Sequence, residues 1–297
     1  MTMTVDFNSE QAQARNRPLK EISHLLEEDS NIIESTLSDL IVGTKRKPIT
    51  VLEVGFGYGR ALMELAYKFR NQPVNFHGVT LPSERKPPVT KSEDLIDIAI
   101  HYEVAPKENL KKVRPPTIHF YDATDIQFDD ETLDFIYSIV TVRFIRQKAH
   151  FLEEVCRVLR PGGVALLHLG ESQWNYPHSL ASKDKQLTPY TSRFILKFGQ
   201  ELIPLPDYLK LFEGKGFRFE FLKSPRCVLK VTKLDQRLLD LQLNFDSNFS
   251  ASMKEFLFEN TKRPRRGGFR TVYNISPENY HALIEKGLLG NFDKSPQ

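Results

Sequence analysis

Residues 51–60 read VLEVGFGYGR. The run from Ile49 to Val54 is short and rich in branched residues, which fits a strand. It leads into Gly55, Gly57 and Gly59, and then into an amphipathic helix over 59–70 with Leu62, Leu65, Ala66 and Phe69 on one side. Glycine permits the tight turn and lets the backbone come close to a ligand. The helix N-terminus that follows offers unpaired N–H groups to an anionic group. The spacing here is G-x-G-x-G, with Glu53 two residues before the first glycine. The dinucleotide fingerprint spaces its glycines G-x-G-x-x-G, so this loop departs from it.

Outward from this loop the chain alternates strand and helix. Further strands are expected at 74–80, 117–121, 133–140 and 164–169, with helices at 149–159 and 207–213. Such alternation predicts a parallel α/β sheet covered on both faces. Two last strands, 217–222 and 227–232, are joined by a short loop and predict an antiparallel closing pair. Upstream, an apolar stripe from Ile22 to Ile41 predicts helix over 18–43, as one helix or as two with Asn31 as the second cap. The expected organisation is a helical N-terminal extension (1–47), a central domain (48–235) and a C-terminal extension (236–297). The last of these ends in a helix with Ser276 as cap, Pro277 at its first position and Gly287 past its end. Two insertions interrupt the alternation. Segment 82–116 carries six of the eighteen prolines and a short helix within 92–102, and segment 171–200 carries the one tryptophan, Trp174. Loops of this length are usually functional or disordered.

The 297 residues are 40% apolar and 27% charged, which excludes wholesale disorder. No run of about 18 apolar residues exists, so no membrane span is expected. The polar start shows no secretory signal. Two cysteines, Cys156 and Cys227, exclude a disulfide scaffold and a four-cysteine zinc site and fit a reducing cytoplasmic setting. No metal site is expected. The net charge of +3 leaves only local basic patches to consider.

Three further stretches follow the glycine loop in order: YDATDIQFDDETLDFI at 121–136, CRVLRPGG at 156–163, and the turn GKGF at 214–217 with the strand pair after it. Together they resemble the class I S-adenosylmethionine-dependent methyltransferases over roughly residues 48–235. The resemblance implies a Rossmann-like, mostly parallel seven-stranded sheet with an antiparallel closing hairpin, and S-adenosylmethionine as cofactor. It implies that Glu53 orders the glycine loop and helps hold the methionine amino group. Gly55, Gly57 and Gly59 would pass close to the methionine part, and Ser138 and Ile139 would lie near the methyl region. Asp122 would accept from the adenine amine, with the Ala123 backbone alongside. The end of strand two, Thr80-Leu81, stands where the family usually has an acid that grips the ribose hydroxyls. A threonine cannot bridge two hydroxyls as a carboxylate does. Glu84 is near enough to substitute. The Asn/Asp-Pro-Pro-aromatic tetrad of many amino-group methyltransferases is absent after strand four, and no Pro-Cys pair exists.

Methyl transfer from a sulfonium asks the protein chiefly for alignment and exclusion of water. A general base is needed only where the acceptor holds its proton. His168, at the end of strand five, and His101 and Tyr102, in the first insertion, are the candidates for that role; lone histidines are more often structural. Trp174 and Tyr176 are candidates for the acceptor pocket, or for a small satellite core. Lys262, Arg263, Arg265, Arg266 and Arg270 lie in a stretch without acids that could bind nucleic acid or an acidic partner, or be a solvated loop. The expected activity is methylation of a small or medium-sized acceptor. The other reading is a non-catalytic scaffold that keeps the fold and binds a partner through its tail.

Overall fold

The computed structural model of the chain describes residues 15–27, 30–45, 47–81, 89–142, 145, 148–170, 196–198, 201–203, 205–213, 215–222, 227–234 and 277–286. Trp174, Tyr176, Glu84, Ser276, Gly287 and the basic cluster from Lys262 to Arg270 lie outside the described residues.

The strands are β1 (Ile49–Val54), β2 (Val74–Thr80), β3 (Thr117–Phe120), β4 (Leu133–Ser138), β5 (Leu159–Gly170), β6 (Leu196–Phe198), β7 (Glu201–Ile203), β8 (Phe217–Phe221) and β9 (Cys227–Lys233). Seven of them form one sheet in the order β3-β2-β1-β4-β5-β9-β8. The first five are parallel, and β9 joins β5 antiparallel with β8 antiparallel beyond it. This is the mostly parallel sheet with a closing hairpin that the alternation implies. β6 and β7 form a separate antiparallel pair that the sequence pattern did not reveal.

The helices are α1 (Leu19–Leu26), α2 (Ile32–Gly43), α3 (Arg60–Lys68), α4 (Asp94–His101), α5 (Lys107–Leu110), α6 (Lys148–Val158), α7 (Leu205–Glu213) and α8 (Pro277–Glu285). The N-terminal stripe is therefore two helices, parted where Glu27 turns extended, and Asn31 makes no side-chain cap bond. Among the described residues no helix is long and apolar enough to cross a membrane.

Several element ends depart from the sequence pattern. β4 stops at Ser138 and not at residue 140, because Val140 takes a left-handed backbone with φ 58°. β5 begins at Leu159 and not at 164; the Arg-Pro-Gly-Gly segment stays in the strand and the β4–β5 register slips between Leu133 and Phe135. The slip region is pinned by Arg160, which pairs with Asp134 Oδ2 at 3.0 Å, and the same oxygen accepts the Thr50 N–H of β1 at 2.7 Å.

Period-two alternation sorts β1 onto two faces. Leu52 and Val54 join the core under α6, α7 and β9. Ile49 and Val51 join the core under α1, α2, α3 and α4. Glu53 is next in that second row, so the strand delivers a carboxylate to the far end of an apolar face. Helix α8 packs back on α6 and α7: Asn279 donates to Glu153 of α6 at 2.7 Å, and Tyr208 of α7 donates to the same carboxylate at 2.5 Å.

Candidate cofactor site at the sheet's switch point

From β1 the chain winds outward through β2 and β3, and then returns to place β4 on the other side of β1. The order reverses between β1 and β4, and in open α/β sheets ligands gather beyond the carboxyl ends of the strands at such a point. The glycine loop leaves β1 there. The Gly55 N–H donates to the Val79 carbonyl at 2.7 Å, tying the loop to the end of β2. Gly59 closes a turn on Phe56 at 2.8 Å, and its own carbonyl accepts the first helical bond of α3 from Met63.

All three glycines have positive φ, of 84°, 60° and 89°. At Gly57 the need is also steric: a Cβ there would lie 2.3 Å from the Arg15 carbonyl oxygen. That carbonyl accepts the Tyr58 N–H at 3.0 Å, and the Arg15 guanidinium lies 5.9 Å from the Tyr58 ring centre. Residues 15–18 therefore run as a strap over the glycine loop into α1. The strap is fastened by the Leu19 N–H on Glu64 of α3. Gly55 and Gly59 are crowded by Thr141 and Leu95 respectively. The loop is thus hemmed by the strap, by the segment after β4 and by α4.

Glu53, two residues before Gly55 at the end of β1, is 5% exposed. Its Oε2 accepts the Tyr137 hydroxyl of β4 at 3.0 Å. Burial pushes its carboxyl up to about 7, and the Tyr137 bond offsets part of that rise. Tyr137 in turn is held well above its ordinary value by burial and by the neighbouring carboxylate. Such a carboxyl gains from a cation placed next to it.

The β4 side of the site is built by hydrogen bonds to backbone. Ser138 is buried and its hydroxyl donates to the Val54 carbonyl at 3.0 Å, so it fastens β4 to the end of β1. Ile139 is buried beside it. The left-handed turn at Val140 aims its N–H at His168, whose Nδ1 accepts it at 3.1 Å. His168 is fully buried, and that nitrogen is committed to the turn.

On the β2 side, Thr80 is half-buried and Leu81 is 58% exposed. Asp122 is exposed just past β3; its Oδ1 accepts both the N–H and the hydroxyl of Thr124 at 3.0 Å. Ala123 behind it is buried. His101 is exposed at the end of α4, and Tyr102 stacks under the Arg60 guanidinium at 4.7 Å. The same Arg60 pairs with Glu64 at 2.9 Å, so Tyr102 belongs to the strap's anchoring group.

No pattern in the sequence points to the strap. Its Asn16 is 3% exposed, and neither Oδ1 nor Nδ2 of its side chain has a hydrogen-bond partner. Buried amides in folded proteins are nearly always paired, so this one is an exception that asks for a reason. An α-amino-acid group, with a cation and an anion on one carbon, suits this neighbourhood. Glu53 can face the cation, the loop and α3 present N–H groups, and the Asn16 amide holds both a donor and an acceptor. The residues present fit the cofactor that the resemblance implies.

Comparison with known proteins shows what the chain is similar to. Residues 52–167 match the sequence model of a family described as "Methyltransferase domain". The chain is 25% identical over 218 residues to the O-methyltransferase cnsE of Penicillium expansum, covering 67% of this chain and 69% of that protein. It is 27% identical over 173 residues to the fatty-acid O-methyltransferase of Mycolicibacterium smegmatis, covering 58% of this chain and spanning about half, 54%, of that protein's length. Among solved structures, a SAM-dependent methyltransferase from Aquifex aeolicus aligns at 16% identity with a TM-score of 0.42, covering 74% of this chain and 94% of that one. Residues 52–167, which carry the glycine loop and the switch point between β1 and β4, are thus similar to a methyltransferase domain, and the sheet around them has the Rossmann-like order that the resemblance implies.

Proposed function

We propose that this protein is an enzyme that transfers a methyl group from S-adenosylmethionine to an oxygen atom of a small or medium-sized molecule. The observation that carries the reading is the left-handed glycine loop that directly follows a buried Glu53 at the switch point of the sheet. The preference for an oxygen acceptor rests on the two relatives named above, both of which are O-methyltransferases by name.

S-adenosylmethionine supplies an activated methyl group on a sulfonium. The chain's part is then to hold, orient and keep dry. Glu53 offers a carboxylate to the ammonium end, and Tyr137 fixes the direction in which that carboxylate points. Gly55, Gly57 and Gly59 keep the backbone low enough for the amino-acid part to lie on it. Asp122 presents its free oxygen, Oδ2, to the adenine amine, while Oδ1 stays in the turn with Thr124. Thr80 and Leu81 line the ribose side, Leu81 with an apolar surface against the sugar and base. Ser138 and Ile139 set the position of the β4 edge beside the methyl group. Orientation of this kind can supply about 7–11 kcal/mol towards an in-line displacement. His168 supports the β4 turn and is not assigned the base; His101 and Tyr102 remain the residues to test for it. Segments 82–116 and 171–200, with Trp174 and Tyr176, are assigned to the acceptor wall.

The test is incubation with S-adenosylmethionine carrying a labelled methyl group and a panel of hydroxy and carboxylic acids, read by mass spectrometry. Labelled product together with S-adenosylhomocysteine supports the reading. Cofactor binding with no transfer to any acceptor class favours a scaffold. No binding of either adenosyl compound overturns it.

A further inference from the structure

We infer that Asn16, in the strap ahead of the first helix, is a binding residue for the α-amino-acid end of the cofactor. The inference rests on the reading above, and it adds a residue from outside the loop-and-strand pieces that carry the resemblance. Three observations lead to it. The first is position: Arg15, its neighbour, sets its carbonyl against the Gly57 backbone and on the Tyr58 N–H, so the strap forms one wall of the glycine loop. The second is burial without partners: the Asn16 amide is walled in and neither of its polar atoms is bonded. An unpaired buried amide is costly, and a ligand that pairs it removes that cost. The third is fastening: Leu19 bonds Glu64, Glu64 pairs with Arg60, and Arg60 lies on Tyr102, so the strap is held at a fixed place on α3.

The chemistry of the amide selects the ligand group. Nδ2 donates, which suits a carboxylate, and Oδ1 accepts, which suits an ammonium. Glu53 answers only the ammonium. A site with Glu53 alone would leave the cofactor's carboxylate to backbone N–H groups. Asn16, next to the Arg15 carbonyl that meets Gly57, supplies a side-chain donor to it.

The experiment is calorimetric titration of the full chain and of Asn16→Ala with two ligands, S-adenosylhomocysteine and methylthioadenosine. The second keeps adenine and ribose and lacks the amino-acid end. Asn16→Ala is expected to bind S-adenosylhomocysteine at least tenfold more weakly, with methylthioadenosine changed less than twofold. The melting temperature without ligand should not fall, because the change removes an unpaired amide. If Asn16→Ala fails to fold, the near-isosteric Asn16→Asp makes the same comparison, with a carboxylate that repels the ligand's own. S-adenosylhomocysteine affinity within twofold of the unmodified protein overturns the inference, and so do equal losses for both ligands. If the unmodified protein binds neither compound, the cofactor reading itself fails, which is a different result from these.

Discussion

The Tyr137 hydroxyl of β4 donates to Glu53 Oε2 of β1 at 3.0 Å, with both side chains buried between the sheet and its helices. Two adjacent strands thus share one polar contact at the end of an otherwise apolar face. Burial lifts the Glu53 carboxyl from 4.5 to about 7. Between those pH values the folded chain holds a proton at Glu53 that the unfolded chain has lost. Stability therefore falls as pH rises through this window, by an amount on the order of 3 kcal/mol. Glu53→Gln, which stays neutral, should lack that fall. Melting temperatures at pH 5 and pH 8 check it: parallel profiles for the two proteins would show that Glu53 does not titrate there. Tyr137→Phe removes the bond that lowers the carboxyl and should move the wild-type fall to higher pH.

Gly57 and Gly162 both have positive φ, of 60° and 83°, but only Gly57 meets another part of the chain. A Cβ at Gly162 would have nothing within 4 Å, whereas at Gly57 it meets the Arg15 carbonyl. Alanine at either position costs about 1 kcal/mol or more in backbone strain. Gly57→Ala must also push the strap away, so it should lose more stability and at least tenfold in cofactor affinity. Gly162→Ala should keep its affinity. Thermal unfolding and calorimetry compare the pair, and equal effects on binding would disprove the role of the strap contact.

His168 accepts the Val140 N–H at the point where the chain leaves β4 with a left-handed residue. A β-branched residue in that conformation is strained and needs support from its surroundings. His168→Ala leaves the N–H without its acceptor, at a cost of about 1–3 kcal/mol. The Val140 amide should then exchange faster with deuterium. Unchanged protection at Val140 in hydrogen-exchange NMR would mean that the turn holds without His168.

Asp122 keeps one oxygen in the turn with Thr124 and has a second to offer. Asp122→Ala should weaken binding of adenosyl ligands by roughly tenfold, the equivalent of ~1.4 kcal/mol or a single good hydrogen bond. The inosine-type analogue, which lacks the adenine amine, should lose much less. Matching losses in a titration of both ligands would take Asp122 out of the adenine pocket.

The sequence by itself determined the sheet and the place of the glycine loop in it. Glycine spacing after a branched run, regular alternation of strand and helix, and one short loop near the end suffice, because each reports a local backbone preference or a one-face burial pattern. Those signals located β1, β2, β4 and the closing pair within a few residues, and named Glu53 and the glycines together. The tertiary structure decided what no local pattern encodes. It ended β4 at Ser138, since the left-handed Val140 is held from β5 by His168, 28 residues away in sequence. It drew strand five back to Leu159, where Arg160 finds Asp134 on the neighbouring strand. It brought Tyr137 to Glu53 across 84 residues, and it laid the Arg15–Asn16 strap over Gly57. Such partners are distant along the chain and share no period, and only the packed sheet brings them within a hydrogen bond of one another.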